Sequence, residues 1–150
     1  MYLRNVSFLL LCGSLAAGFA APAAAQLQKP TFDKASKHWI EDKEKHCWAA
    51  NPDPQDGEYV VWSGPPCNGA VLAGEGVLTW NLDGKQIGKD TGTFRNGMLT
   101  GRGRLDFGDG AFYVGDFPGQ GTMTLPDGRA FPAHSVREAA GWTIEETLPQ

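Results

Sequence analysis

The sequence has few of the residues on which catalytic and metal sites depend. It contains three histidines and three cysteines among its 150 residues. The histidines are His38, His46 and His134, and none of them lies within the glycine-rich region 59–131. Ser63 lacks the Gly-x-Ser-x-Gly frame that exposes a hydrolase nucleophile, and no base adjoins it in the sequence. We therefore predict that the protein is not an enzyme and holds no metal or cofactor.

Runs of basic residues are also missing. The chain has 13 Lys and Arg against 17 Asp and Glu, a net charge of −4 at pH 7, and its Lys and Arg residues do not cluster. Nucleic acids and anionic lipid surfaces are bound through basic patches. The composition therefore argues against nucleic acid as a partner and makes membrane binding unfavourable. The aspartates lack the spacing of calcium-binding repeats, so we interpret them as turn residues.

The N-terminus has the pattern of a secretory signal peptide. Arg4 precedes an apolar stretch at residues 6–21, and three alanines follow at 23–25. These features predict cleavage after Ala25, and the apolar stretch is short for a membrane span. Cys12 lacks the preceding small residue that a lipoprotein signal requires. We therefore expect residues 1–25 to be removed and the rest of the chain to be periplasmic or secreted.

Cleavage at that point removes Cys12 and leaves two cysteines, Cys47 and Cys67. An even number of cysteines in an oxidising compartment favours a disulfide. The alternative is a metal site that includes His46, but one thiol beside one imidazole is not a ligand spacing. We predict a Cys47–Cys67 disulfide.

The exported part divides into three regions by composition. Residues 26–56 are a polar N-terminal segment that ends in a proline-containing loop at 51–56, residues 57–131 hold the repeats, and residues 132–150 form a C-terminal cap or tail. The pattern at 33–41 favours a short helix. In the tail, residues 135–138 favour a single helical turn, and residues 142–145 an edge strand.

The region 57–131 repeats one glycine frame three times. A Gly-x-Gly pair is followed by alternating apolar and polar residues and then by Asp-Gly, over residues 74–84, 101–110 and 119–128. The alternation predicts half-buried strands, and Asp-Gly tolerates the positive φ of a hairpin turn. Because a less regular strand precedes each copy, each repeat is predicted to be a β-hairpin. The glycines of the frame are Gly74, Gly76, Gly84, Gly101, Gly103, Gly110, Gly119, Gly121 and Gly128.

This frame of Tyr-x-Gly, then Gly-x-Gly, then Asp-Gly resembles the MORN repeat. The resemblance covers residues 59–131. It implies an all-β fold of about three antiparallel hairpins that form an elongated twisted sheet with an aromatic-lined groove. To this we add the short N-terminal helix and an entry loop closed by the disulfide. In the middle repeat Asp90 stands where the frame has an aromatic residue, and the segment after Gly115 is shortened.

Aromatic residues recur at matching places in the hairpins, and the polar atoms of Tyr and Trp suit binding surfaces. We take Trp62, Trp80, Tyr113 and Phe117 as groove candidates, although core packing is the alternative. The first function hypothesis is protein–protein interaction or scaffolding in the cell envelope, and the alternatives are binding of envelope glycans or of membrane lipids. A glycan groove requires these rings to be exposed. A scaffold can bury them and use the opposite face, which carries Arg, Asp and Thr.

Overall fold

The computed structural model describes residues 38–138 and 141–147, which contain β-strands and no helix. This part of the chain therefore has no helix that could cross a membrane. The all-β fold predicted from the sequence is confirmed. The strands are β1 (Trp39–Asp42), β2 (Cys47–Ala50), β3 (Glu58–Trp62), β4 (Gly74–Leu82), β5 (Lys85–Arg95), β6 (Met98–Phe107), β7 (Phe112–Phe117), β8 (Gly119–Thr124), β9 (Ala130–Arg137) and β10 (Trp142–Glu146).

The strands form two antiparallel sheets. Strands β1 and β2 pair with each other, and β3 to β10 form an eight-stranded sheet in which each strand pairs with the next one in sequence. The predicted repeats are the pairs β3–β4, β5–β6 and β7–β8, so the prediction of three hairpins is confirmed. Strands β9 and β10 extend the sheet beyond the last repeat.

Two-residue turns join β4 to β5 and β5 to β6. Asp83 and Gly84 form the first turn, Asn96 and Gly97 form the second, and all four residues have positive φ. This is the type I′ geometry, whose twist matches that of the strands it connects. The first copy of the frame is one residue longer than the others. Opposite the end of this copy, β5 has a bulge at Ile87.

The other two Asp-Gly turns, which join β6 to β7 and β8 to β9, have a different geometry. Gly110 N–H donates to the carbonyl oxygen of Phe107, and Gly128 N–H to that of Leu125. Both glycines have positive φ, whereas the aspartates that precede them do not. These are type I turns closed by a left-handed glycine, a common hairpin connection. All three Asp-Gly pairs of the repeat frame thus lie in hairpin turns, as predicted.

The N-terminal sheet packs on the first repeats. Ala50 N–H donates to the carbonyl oxygen of Gly97 and Trp62 N–H to a carboxylate oxygen of Asp42, at 2.9 and 3.3 Å. The Cys47–Cys67 disulfide is present and links β2 to the loop after β3. The short helix predicted at 33–41 is wrong for its last three residues, because they belong to β1 and pair with β2. Residues 33–37 lie outside the described part of the chain.

The C-terminal region also corrects one prediction. Residues 135–137 belong to β9, so the predicted helical turn is wrong. The hydroxyl of Ser135 donates to the carbonyl oxygen of Asp116 at 2.6 Å and accepts from Gly119 N–H at 3.1 Å. This side chain therefore joins β9 to the third repeat and does not cap a helix. The edge strand predicted at 142–145 is confirmed as β10.

A row of glycines crosses the sheet at right angles to the strands. The row consists of directly opposed residues of β4 to β8, namely Gly76, Gly92, Gly103, Gly115 and Gly121. The next row on the same side consists of Leu78, Asp90, Leu105, Tyr113 and Met123, all of which are buried. We call this side of the sheet the core face. Large side chains from neighbouring positions can lie directly on the backbone where the glycines leave space.

Neighbouring atoms approach two equivalent glycines of this row, Gly103 and Gly121, to different distances. Adding a side chain at each should therefore lower the free energy of unfolding by different amounts. A Cβ at Gly121 would lie 2.5 Å from Cζ of Tyr113 and closer still to the carbonyl oxygen of Val114, whereas a Cβ at Gly103 would lie 2.9 Å from the carbonyl oxygen of Thr91. We expect Gly121→Ala to destabilise by about 3 kcal/mol and Gly103→Ala by about 1 kcal/mol, within the range for overpacking.

Urea denaturation measures both values. Thr122→Ala, at an exposed position on β8, is the control and should stay within about 0.5 kcal/mol of wild type. Equal costs at the two glycines, or a tolerated Gly121→Ala, would contradict the packing described here.

The disulfide gives a second prediction. It closes a loop with a sequence separation of 20, and the chain-entropy model assigns about 3 kcal/mol to such a closure. Reductant and Cys67→Ser should therefore lower the thermal midpoint by similar amounts, and reductant should have no further effect on the variant. An unchanged midpoint after complete reduction, verified by thiol titration, would show that the bond does not stabilise the fold.

Candidate interaction surface

The four aromatic residues predicted to line a groove are buried. The exposed fraction is 2% for Trp62, 2% for Trp80, 0% for Tyr113 and 1% for Phe117. They belong to the hydrophobic core and cannot line an open groove. The groove prediction is corrected accordingly, and for Trp62 and Tyr113 the physical reason lies in the glycines that their rings cover.

Trp62 and Tyr113 occupy equivalent places in the first and third repeats. The Trp62 indole lies against Gly64 and Gly76, and the Tyr113 ring lies against Gly115 and Gly121. In each repeat the glycines are the residue two positions later on the same segment and a residue of the partner strand. A ring can lie flat on the backbone only where both positions lack a side chain, which explains why the frame contains these glycines.

Each of these rings also satisfies its polar group internally. Trp62 Nε1–H donates to the carbonyl oxygen of Pro65 at 2.8 Å, and the Tyr113 hydroxyl donates to that of Gly119 at 2.9 Å. Desolvation by burial raises the pKa of Tyr113. The ring atoms and the polar atoms that a ligand would need are therefore already occupied by the protein.

The middle repeat fills the same space differently. Asp90 takes the aromatic position, and a carboxylate oxygen accepts a hydrogen bond from Trp80 Nε1–H at 3.0 Å. The side chain of Leu99 covers Gly92 and Gly103, where the other repeats have a ring. The departure at Asp90 thus leaves the core face closed.

Phe117 extends the aromatic core toward the C-terminal edge. Its ring makes edge-to-face contacts with Tyr113 at 5.3 Å and with Trp142 of β10 at 5.4 Å between centroids. Edge-to-face pairs of this kind stabilise a core beyond the area they bury. The core face is therefore filled from the first repeat to β10.

We call the opposite side of the sheet the outer face, and its side chains are half-buried or exposed. Its side chains form two rows of directly opposed residues on β4 to β8, and none of them is buried. One row consists of Val77, Thr91, Arg104, Val114 and Thr122, and the other of Thr79, Lys89, Asp106, Phe112 and Thr124. The alternation of the sequence predicted this face for Thr79, Arg104, Asp106, Thr122 and Thr124, and that prediction is confirmed.

Arg104 stands at the centre of the outer face and is held in place. Its Nε–H donates to both carboxylate oxygens of Asp106 at 2.9 Å, Nη2–H donates to one of them as well, and the guanidinium carbon lies 3.8 Å from the centre of the Phe112 ring. The hydrogen bonds with Asp106 raise the pKa of Arg104. A charged planar group is thus held by Asp106 and the Phe112 ring, with 41% of its side chain exposed.

Sequence reasoning missed Phe112 as a surface residue. Its register opposite Asp106, on the strand next to Arg104, was the available signal, but it could be read only after the pairing of β6 with β7 was known.

The described residues contain no group of three His, Cys, Asp or Glu side chains that could hold a metal ion.

The family comparison agrees with this geometry. The model of the MORN repeat matches residues 91–112, which run from the second half of β5 through β6 to the start of β7. The chain contains a MORN repeat. MORN repeats are generally non-catalytic and take part in protein or membrane-lipid interactions. No curated protein matches the chain. The matched segment includes Arg104, Asp106 and Phe112.

Proposed function

We propose that this MORN-repeat chain is an exported, non-catalytic module that binds a partner protein on its outer face. The observation that carries the proposal is the contrast between the two sides of the sheet. Rings and Leu99 fill the core face, whereas the two rows of mixed apolar, hydroxyl and charged side chains on the outer face are only partly buried. Protein interfaces typically combine such apolar and polar groups with Arg and aromatic residues.

The two alternatives have less support. A glycan site would stack sugars on exposed rings with carboxylates beside them, but three of the rings predicted for such a site, Trp62, Trp80 and Tyr113, are buried. Binding to anionic lipids needs a cluster of basic residues, and the whole chain carries a net charge of −4. A surface that mixes Val, Thr, Arg and Phe suits an interface with another protein better than either ligand.

Variants with a long charged side chain at the centre of the outer face test this function. Val114→Lys and Thr91→Lys flank Arg104, and Gln86→Lys at the exposed start of β5 is the matched control. In chemical cross-linking from an envelope fraction, we expect both outer-face variants to lose a specific product at least about tenfold, an effect typical of a central interface position.

Gln86→Lys should give that product at the level of wild type. If all three variants and wild type capture the same proteins equally, the outer face is not the binding surface. All variants should first show wild-type circular dichroism and thermal midpoints.

Export is the second part of the proposal. It is supported by the signal-peptide pattern at residues 1–25 and by the disulfide, since disulfides persist in oxidising compartments. N-terminal sequencing of protein extracted from the envelope should begin at Gln26. A protein that begins at Met1, or at a lipidated Cys12, would contradict export with cleavage after Ala25.

A further inference from the structure

Only one edge of the Arg104 guanidinium is hydrogen-bonded to the rest of the described chain. Its hydrogen bonds with Asp106 employ Nε and Nη2, and Nη1 makes no hydrogen bond within residues 38–138 and 141–147. A guanidinium presents two edges that match a carboxylate. Asp106 occupies the edge formed by Nε and Nη2, so the edge formed by Nη1 and Nη2 is left for a second carboxylate.

The geometry around Arg104 reduces the cost of such binding. A free arginine side chain loses conformational entropy when a ligand fixes it, and this loss opposes binding. Here the Phe112 ring beneath the guanidinium and the Asp106 carboxylate beside it already fix the plane. The same two contacts hold the unused edge in one direction before any partner arrives.

Lys89 on the outer face adds to the attraction of Arg104 for an acidic ligand. The two rows of the outer face carry Lys89 and Arg104 against Asp106, while the chain as a whole is negative. Lys89 lies directly opposite Asp106 on β5. Exposed Arg102, two positions before Arg104 on β6, lies opposite Asp116. Exposed Glu75 on the same face of β4 offsets the remaining positive charge, so the attraction for a carboxylate comes from Arg104 and Lys89 themselves and not from a net charge of the outer face.

Apolar and hydroxyl side chains lie on both sides of the cation. Thr91 and Val114 are the direct cross-strand neighbours of Arg104, and Val77 and Thr122 continue the row. An extended segment crossing the strands would meet a threonine or valine on each side of the arginine. Such a row, with Arg104 as its single cation, suits a segment in which an acidic residue is flanked by small apolar or hydroxyl residues.

We propose that the partner is recognised through an extended acidic segment, one carboxylate of which binds the Nη1–Nη2 edge of Arg104. The inference rests on the proposed function and specifies the chemistry of the partner at that surface. It assigns Arg104 as the anchor, with Asp106 and Phe112 as the positioning residues that fix its plane.

A pair of isosteric peptides tests the inference on the unaltered protein. A fluorescein-labelled Thr-Glu-Val-Glu-Thr peptide and the corresponding Thr-Gln-Val-Gln-Thr peptide differ only in their carboxylates. In fluorescence anisotropy at low salt, we expect the Glu peptide to bind at least about tenfold more tightly, the effect of about 1.4 kcal/mol that a charge-assisted bidentate contact can supply. Equal affinities, or no binding of either peptide, would overturn the inference.

Arg104→Lys tests the fork-shaped geometry because lysine keeps the charge but cannot form the bidentate contact. Arg129→Lys is a matched control. Arg129 Nε–H also donates to an aspartate two positions away in the sequence, Asp127, at 2.7 Å, but Arg129 lies in the turn before β9. We expect the Arg104 variant to lose the preference for the Glu peptide and the Arg129 variant to keep it. Equal effects of the two variants would show that general charge, not this site, attracts the peptide.

The two proposals fail in different ways. If Val114→Lys abolishes cross-linking to an envelope protein while the Glu and Gln peptides bind equally, the outer face binds a partner whose recognition is not acidic. If cross-linking is unaffected by every outer-face variant, the proposed function itself is wrong. Should Arg104→Lys alter the fold, the comparison of the two peptides on wild type still decides the inference.

Discussion

The fold depends on large side chains that lie directly on backbone where glycines leave space. Five glycines form an unbroken row across β4 to β8, and a Cβ at the ones beneath Trp62 or Tyr113 would come within 2.5 Å of ring atoms. The rings of Trp62 and Tyr113 pack against the row, and their edge-to-face contacts with Phe94 and Phe117 add to their burial. The Asp-Gly and Asn-Gly turns then keep neighbouring strands in the register that aligns the row.

This packing separates the two sides of the sheet by role. On the core face, Trp62, Leu99 and Tyr113 cover the glycines, and the polar atoms of the two rings bond to carbonyl oxygens of the protein. The outer face receives the alternate residues, among them the fixed Arg104 and the Phe112 ring. A partner therefore meets side chains whose positions are set by the strands. Regular elements hold such a surface more rigidly than loops do.

Much of the fold could be predicted from the sequence because its strongest signals are local. The Asp-Gly turns and the alternation around Leu105 depend on short segments. The disulfide follows from the even number of cysteines that is expected in an oxidising compartment, Cys47 and Cys67. The burial of Trp62 and Tyr113 could not be predicted, since it depends on which glycines stand opposite them on the next strand. Local propensity predicts helices at Trp39 and Ser135 because it takes no account of neighbouring strands. Pairing with β2 and β8 places both residues in strands. The fixed position of Arg104 could not be predicted either, because Phe112 lies beside it only through the pairing of β6 with β7.

Glycine proton chemical shifts test the packing of rings on the glycine row most directly. In the NMR spectrum of the folded protein, the Hα resonances of Gly76 and Gly121 should be shifted upfield by the rings of Trp62 and Tyr113. Those of the turn glycines Gly84 and Gly128, where a Cβ would meet nothing within 4 Å, should lie at ordinary glycine positions. Replacing Tyr113 with leucine should abolish the shift at Gly121 and leave that at Gly76. If Gly76 and Gly121 instead resonate with the turn glycines in the wild type, the rings do not lie on the row, and the core face is not closed as described.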